Sequence, residues 1–564
     1  MSVIPLIKEV KSKLEPLRLT ELVLELSSYH RIQGSREILE AGDYIRASLE
    51  ELGVETSVHT FNYGDPPKWL TPLIGWDLRD GIAYITNPYR KTITSVRKAW
   101  TAVVAHSPPG EFSGDVSYVE SDEAIPDDIE VALTSNRSLD MYLRLAEKGA
   151  KAILIYRRDA VPEGIPYVGL FPSPSELPKM KVPALSVSRR EADRIRWHLT
   201  RRERVKVEGF VKSSYSDPRD IKILSAEFGD GSKEVHLTAH YCHPRGTVND
   251  NASGAATLLF MARILNESLK KTRCDLGGRK IRFVWFPEHY GSVALIRKLL
   301  SEGVEVSGVL NLDMIGEKQW MTGSILNFIR PPIALLSDFE AHAFRNFYLG
   351  INKGWGLPVL NSVKPSMRFD VRPYVAGSDH DSYIVFGIPA TSLTNWPDRF
   401  YHTSLDTIDK FSPGNALRVG FIALKTALTY TPGDKSTLRR YLGFVRSLDC
   451  FRVESGTLTT IRGRIYSRLR GSLRCLDLLQ KSGLPSSQYL LRKVEDAEPR
   501  ARIKKLLNSV PWVSTALITA TLYSLCGVGS KDLMKVLTVE LGVKVREDDY
   551  LLLTKSMEIL GISS

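Results

Sequence analysis

Hydrophobic positions between residues 17 and 53 recur at helical spacing, through Leu19, Leu22, Leu24 and Leu26 and then Ile38, Ala41, Ile45, Leu49 and Leu52. The spacing predicts two helices, the second closing at Gly53, where a left-handed cap favours glycine. An alternating strand, VETSVHTF, follows. From about Trp100 the texture changes to short strands, helices and Pro/Gly turns, in TAVVAH, DIEVAL, SLDMYLRLAEKGAKAILIYR and VPALSVSRREADRIRWHL. This stretch reads as a compact insertion. From about Ser213 the pattern becomes strand, loop, helix, repeated, and three apolar runs stand out: EVHLTAH (234–240), KIRFVWFPE (280–288) and GVLNLDM (308–314). Such runs with helices between them predict a mostly parallel sheet covered by helices on both faces, in which ligand sites gather beyond the carboxyl ends of strands. The expected fold class is therefore α/β, with an inserted α/β domain and a helical C-terminal appendage. The boundaries read as a catalytic domain in two parts, 1–98 and 214–434, an insert at 99–213 and the appendage at 435–564.

A chain of 564 residues is too long for one core, and 43% hydrophobic with 25% charged residues excludes a disordered or fibrous protein. Five cysteines without a CxxC pair exclude a disulfide framework and a thiolate zinc finger, so a reducing, cytoplasmic compartment is expected. The N-terminus lacks the apolar core of a secretory signal, and WVSTALITATLYSLCGV (512–528) is too short and polar for a membrane span, so it reads as a buried helix.

The net charge of +12 suggests a polyanion partner until it is located. Between 435 and 505 there are 17 lysines and arginines against six acids, so +11 belongs to the appendage. Arg462, Arg464, Arg468 and Arg470 are spaced to line one helical face that could touch phosphates. No nucleic-acid motif or aromatic platform accompanies them. The favoured reading is a solvated face packed on the catalytic domain or on a neighbouring subunit, which leaves a homo-oligomer open.

Histidine is scarce, 11 in all, yet seven fall between 236 and 402. HYCHPRGTVNDNASG places His240 and His243 at a strand end and Asp250 in a turn that opens a helix. Imidazole and carboxylate suit a borderline divalent ion such as Zn²⁺; a polar turn with an Asn/Asp helix cap is the plainer alternative. FPEHYGS sets Glu288 and His289 directly after a buried strand, where poor solvation raises a carboxylate toward the range for taking a proton from water. LNLDMIG ends an apolar strand in Asp313, whose burial is costly unless a metal, a helix cap or an Arg partner compensates. GSDHDSY (377–383) and YHTSLDT (401–407) supply Asp379, His380, His402 and Asp406, the last one helical turn beyond His402 and so placed to orient its imidazole.

In this order, AHYC, NDNASG, PEHYG, NLDMIG, GSDH and YHTSLDT, with HRIQGSREILEAGDYIRASLEELGVE near the start, resemble the co-catalytic zinc aminopeptidase family, whose clan includes leucyl aminopeptidases, glutamate carboxypeptidase and glutaminyl cyclase. The resemblance covers about residues 15–95 and 215–430. The insertion in turn resembles the protease-associated domain, through KGAKAILIY and the later VPALSVS.

The resemblance implies a metal-dependent hydrolase of peptides or small amides, most simply an aminopeptidase, using one or two Zn²⁺ with Co²⁺ or Mn²⁺ as substitutes. Asp250 matches the carboxylate that bridges two metals, Asp313 and His402 match terminal ligands, Glu288 matches the general base, and Asp379, His380 and Asp406 match supporting positions. Two departures stand out. The family's His-x-Asp is here His240-Tyr241-Cys242 followed by His243-Pro244, so either histidine is a candidate first ligand, and the Cys-His-Pro form found in some aminopeptidase-like proteins favours His243. The second Glu of the family's pair is His289, itself a candidate ligand; in the alternative Glu288 is the ligand and the base lies elsewhere. Losing that negative charge predicts weaker binding of one metal and a single catalytic ion. The rival readings are an altered peptidase fold used for binding and a non-peptide amide hydrolase or cyclase. The insertion is expected to cap the mouth of the site.

Overall fold

Eight strands build the central sheet: β1 (Thr56–Asn62), β2 (Asp220–Phe228), β3 (Lys233–His240), β4 (Lys280–Phe286), β5 (Glu305–Asp313), β6 (Ile325–Ile329), β7 (Phe369–Arg372) and β8 (Ala390–Trp396), in the order β1-β2-β4-β3-β5-β8-β6-β7. The three apolar runs are β3, β4 and β5, which lie next to one another. Strands β4, β3, β5 and β8 pair in parallel, and the pairings of β1 with β2, β2 with β4 and β8 with β6 are antiparallel. The sheet is thus parallel at its centre with antiparallel flanks, rather than parallel throughout.

In this computed structural model the described residues are 3–452, except 67–69, 122–124, 353–355, 360–361 and 366, and beyond them 513–525, 530–541, 545 and 550. Arg462, Arg464, Arg468 and Arg470 lie outside the described residues, as does most of the basic segment.

Successive side chains on a strand point to opposite faces, and the central strands have apolar residues on both. Leu237, Phe283, Trp285, Leu310 and Leu312 enter one core with the helices Pro16–Ser27, Arg36–Glu50, Gly254–Thr272 and Pro413–Thr429. Val284, Phe286 and Val309 enter the other with the helices Tyr290–Ser301 and His380–Ile384. The two expected N-terminal helices form, and Ser35 caps the second by accepting a hydrogen bond from the Ile38 amide at 3.2 Å. A third helix, Ile4–Ser12, precedes them and buries Leu6 and Val10 in the first core.

A second sheet of seven strands includes Gly75–Asn87, Lys91–Ser95, Gly110–Tyr118 and Lys206–Ser216. Gly75–Asn87 pairs antiparallel with Lys206–Ser216 along its whole length, so this sheet spans about residues 75–216, wider than the 99–213 read from the sequence. The C-terminal helices are docked on the catalytic domain. Phe444 of the helix Lys435–Arg452 stacks on Phe344 at 4.6 Å, and Ile518 and Leu522 of Val513–Leu525 enter the second core. The helix expected within 512–528 is buried, and among the described residues no helix is long and apolar enough to cross a membrane.

Trp285 on β4 is fully buried and its Nε1 donates to the carbonyl of Ala255 at 3.0 Å, tying the sheet to the helix that follows Asp250. Trp285→Ala should therefore cost about 3 to 5 kcal/mol, read as a lowered denaturation midpoint.

Candidate metal centre

Because β3, β4, β5 and β8 run in parallel, their carboxyl ends share one edge of the sheet, and the chemistry-bearing residues collect there. His240 ends β3, Glu288 and His289 follow β4, Asp313 ends β5, and the segment after β8 carries His402. Asp250 lies in the loop between β3 and the helix Gly254–Thr272 and is only 3% exposed.

Its two oxygens face different partners. Oδ1 stands 3.5 Å from Nε2 of His240, which is 3.3 Å from Oδ1 of Asp313. Oδ2 stands 3.3 Å from Nε2 of His243 and 2.9 Å from Nε2 of His402, and those two nitrogens are 3.2 Å apart. Among the described residues three groups have ligand-like spacing: His240/Asp250/Asp313 and His243/Asp250/His402, which share one carboxylate, and His240/Cys242/His243/Glu288. Both candidates for the first ligand, His240 and His243, reach Asp250.

The donor set fits a zinc-type ion. With bonds of about 2.0 to 2.1 Å, ligand atoms on one tetrahedral ion stand about 3.4 Å apart, close to the separations here. Oδ1 of Asp313 is buried and faces His240 Nε2 at 3.3 Å, while its Oδ2 accepts from Ser378 at 2.6 Å. Burial lowers His243 and His402 to about 3, so both are neutral at physiological pH, the state a ligand needs.

His289 differs from expectation. Its Nε2 lies 3.5 Å from Glu288 Oε1, and it joins none of the metal-ligand groups among the described residues. Asp379 holds this turn by accepting from the His289 amide at 2.8 Å and from Ser292 Oγ at 2.6 Å. Glu288 lies beside His240 and His243, and burial pushes its carboxyl well above the ordinary range despite the opposing influence of His240. Gln33 anchors its backbone by donating to the Glu288 carbonyl at 3.0 Å.

Asp406 also acts differently from expectation. The 401–407 segment is a series of turns rather than a helix, and the Asp406 carboxylate accepts from the amides of Asn249 and Asp250 at 2.8 and 3.0 Å instead of orienting His402. Burial, with Asp398 nearby, pushes Asp406 up to about 8. His380 lines the cavity beside the site and bonds through Nε2 to the Val375 carbonyl at 2.9 Å.

Cys242 was given no role of its own by the sequence reading, and Arg31 and Tyr167 escaped it. Cys242 occupies the place of the family's His-x-Asp carboxylate, with Sγ 3.4 Å from Nδ1 of His240; burial pushes its thiol up. Arg31, fully buried, donates through Nε to the Tyr241 carbonyl at 2.7 Å, and its own carbonyl accepts from the His243 amide at 2.9 Å. The quoted HRIQGS segment held that arginine without revealing its role. Tyr167 comes from the insertion: its ring meets His402 at 5.1 Å and His243 at 5.5 Å, and its amide donates to the His402 carbonyl at 2.8 Å. Ile165 and Ser404 bond to each other alongside, so the insertion braces the His402 loop.

Four residues here have left-handed backbones: His243 (φ 115°), His289 (59°), Met314 (58°) and His402 (52°). Such conformations cost about 1 to 3 kcal/mol each and cluster where surrounding structure enforces a site.

This motif order on this sheet has known counterparts. Residues 224–427 match peptidase family M28. A probable zinc metalloprotease of Pyrenophora tritici-repentis is 23% identical over 209 residues, which covers 34% of this chain and 42% of that protein, so the chain spans less than half the length of this curated relative. An M28 peptidase precursor from Shewanella amazonensis SB2B has a similar structure, with a TM-score of 0.54 at 16% identity over 76% of this chain and 96% of that one. A putative peptidase from Clostridium acetobutylicum gives 0.52 at 16% identity, over 78% and 89% of the two chains. A zinc aminopeptidase from Bacillus subtilis gives 0.50 at 18% identity, over 74% and 94%. At these identities the likeness is one of fold. The α/β class and the resemblance to the co-catalytic zinc peptidases both stand, and the M28 match covers β3 to β8 with every candidate ligand.

Cys242 Sγ lies 3.4 Å from Nδ1 of His240, while Nε2 of the same ring faces Asp250. Cys242→Ala should weaken metal affinity by about 10- to 100-fold, measured by competition with a chromophoric chelator.

Proposed function

We propose that the chain is a metal-dependent peptide hydrolase of the aminopeptidase type. The observation that carries this reading is the division of Asp250, whose two oxygens face two separate sets of donors. His240, Asp250 and Asp313 would hold one divalent ion, and His243, Asp250 and His402 a second. Zn²⁺ suits these nitrogen and oxygen donors, with Co²⁺ or Mn²⁺ as substitutes. When bound, such ions supply Lewis-acid activation of water and of the scissile carbonyl.

The chain's own residues supply the rest. Glu288, with its raised proton affinity, takes a proton from the attacking water and returns it to the leaving amine. Ser378 holds Asp313 through one oxygen and leaves the other to face His240. Asp406 fixes the backbone of Asp250. His243, beside Asp250 and His402, offers the second set its third donor, so the proposal is two ions despite His289. The free thiol of Cys242 suits the reducing, cytoplasmic compartment that we also propose. We assign the 75–216 sheet to a protease-associated type of insertion that braces the site.

Purified full-length protein should contain two transition-metal ions per chain, and His243→Ala should retain one. Protein without stoichiometric metal, with hydrolysis of aminoacyl anilides indifferent to chelator, would overturn the reading. Glu288→Gln should keep its metal while losing about 10²- to 10⁴-fold in kcat, measured on the same anilides.

A further inference from the structure

The same cavity that exposes His240, Asp250 and Asp313 holds a cation at its far wall. It has a volume of about 300 Å³, small for a ligand pocket, and is lined otherwise by side chains such as Met314, Ile329, Val375 and Trp396. Arg372 is the last residue of β7, opposite Ile329 of β6 in register. Its carbonyl accepts from the Arg330 amide at 3.0 Å, which fixes the strand end from which the side chain departs. Arg372 is part-buried, and among the described residues its guanidinium meets no carboxylate and no hydrogen-bond acceptor.

A guanidinium on a cavity wall that meets no acceptor among the described residues has its five donors available to a ligand in that cavity. The planar fork matches a carboxylate in bidentate fashion, which adds both energy and direction. Asp250, Asp313 and Glu288 are the acids lining this cavity, and they belong to the catalytic groups.

We propose that Arg372 selects substrates carrying a carboxylate: an acidic side chain before the scissile bond, or the free α-carboxylate of a short peptide. This rests on the hydrolase reading for its reaction, although the recognition itself is a matter of binding.

The test uses full-length, metal-loaded protein carrying Glu288→Gln to slow turnover, titrated calorimetrically with two pairs of peptides. Leu-Leu against its C-terminal amide probes the α-carboxylate; Glu-Leu amide against Gln-Leu amide probes the side chain. In one pair the carboxylate should bind at least about tenfold more tightly than its amide partner. Adding Arg372→Met should erase that ratio while leaving the amides within about twofold and the metal content unchanged, and Arg372→Lys should restore part of it. The proposal is overturned if neither pair shows a preference, if no peptide binds, or if the preference survives Arg372→Met. Failure of the hydrolase reading shows separately, as metal-loaded wild type that cleaves none of the four peptides whatever the binding ratios.

Discussion

A buried carboxylate that faces three imidazoles is the constraint around which the catalytic domain is arranged. Burial pushes Asp250 toward its neutral form, so its anion must be sustained by what surrounds it. His243 and His240 oppose that shift, and Arg31, itself wholly buried, adds a fixed positive charge. The amide of Asp250 is held by Asp406, and the loops bearing the imidazoles are bent through left-handed residues. Parallel strands deliver the donors to one edge, and these bends aim them. Neither would serve without the other.

The substitution at 289 acquires its meaning from this arrangement. In the family that the chain resembles, a glutamate follows the catalytic one; here a histidine stands there, buried beside Glu288 and apart from His402. The place next to His402 is filled from another loop, by His243. In the two-ion reading a neutral imidazole, His243, joins His402 where the family's pattern has an anionic residue, which makes that set of donors less negative. A thiol at 242 continues the trend, since it stands near His240 where a carboxylate would otherwise be.

Much of the fold was legible because it rests on period and length. The runs 234–240, 280–288 and 308–314 are rich in apolar residues, as a covered, centrally placed strand is, and His240, Glu288 and Asp313 stand at or near their carboxyl ends. Asp250, Asp313, His402 and Glu288 were named instead through the order of motifs that resembles the zinc aminopeptidases. Other features depend on where a short loop turns, which no periodicity records. The φ of 115° at His243 decides that both histidines reach Asp250, and the turns of 401–407 decide that Asp406 meets amides instead of an imidazole. The insert's edge was read too far along because Gly75–Asn87 pairs with a strand about 130 residues later, a partnership that local pattern does not carry. Arg372 drew no notice for a similar reason: one arginine in a short strand acquires a role only when that strand is laid beside the pocket.

The contact between the insertion and the His402 loop has a consequence for how such a chain can change over time. Tyr167, Ile165 and Arg157 bond directly to the backbone of residues 401–404, so the loop that carries the candidate ligand His402 is held in shape from beside the second sheet. An accessory domain joined by a loose tether can be gained, lost or exchanged between lineages with little penalty to its host. Here the backbone of 401–404 takes part of its bonding from the second sheet, so removing that sheet would leave those groups without these partners.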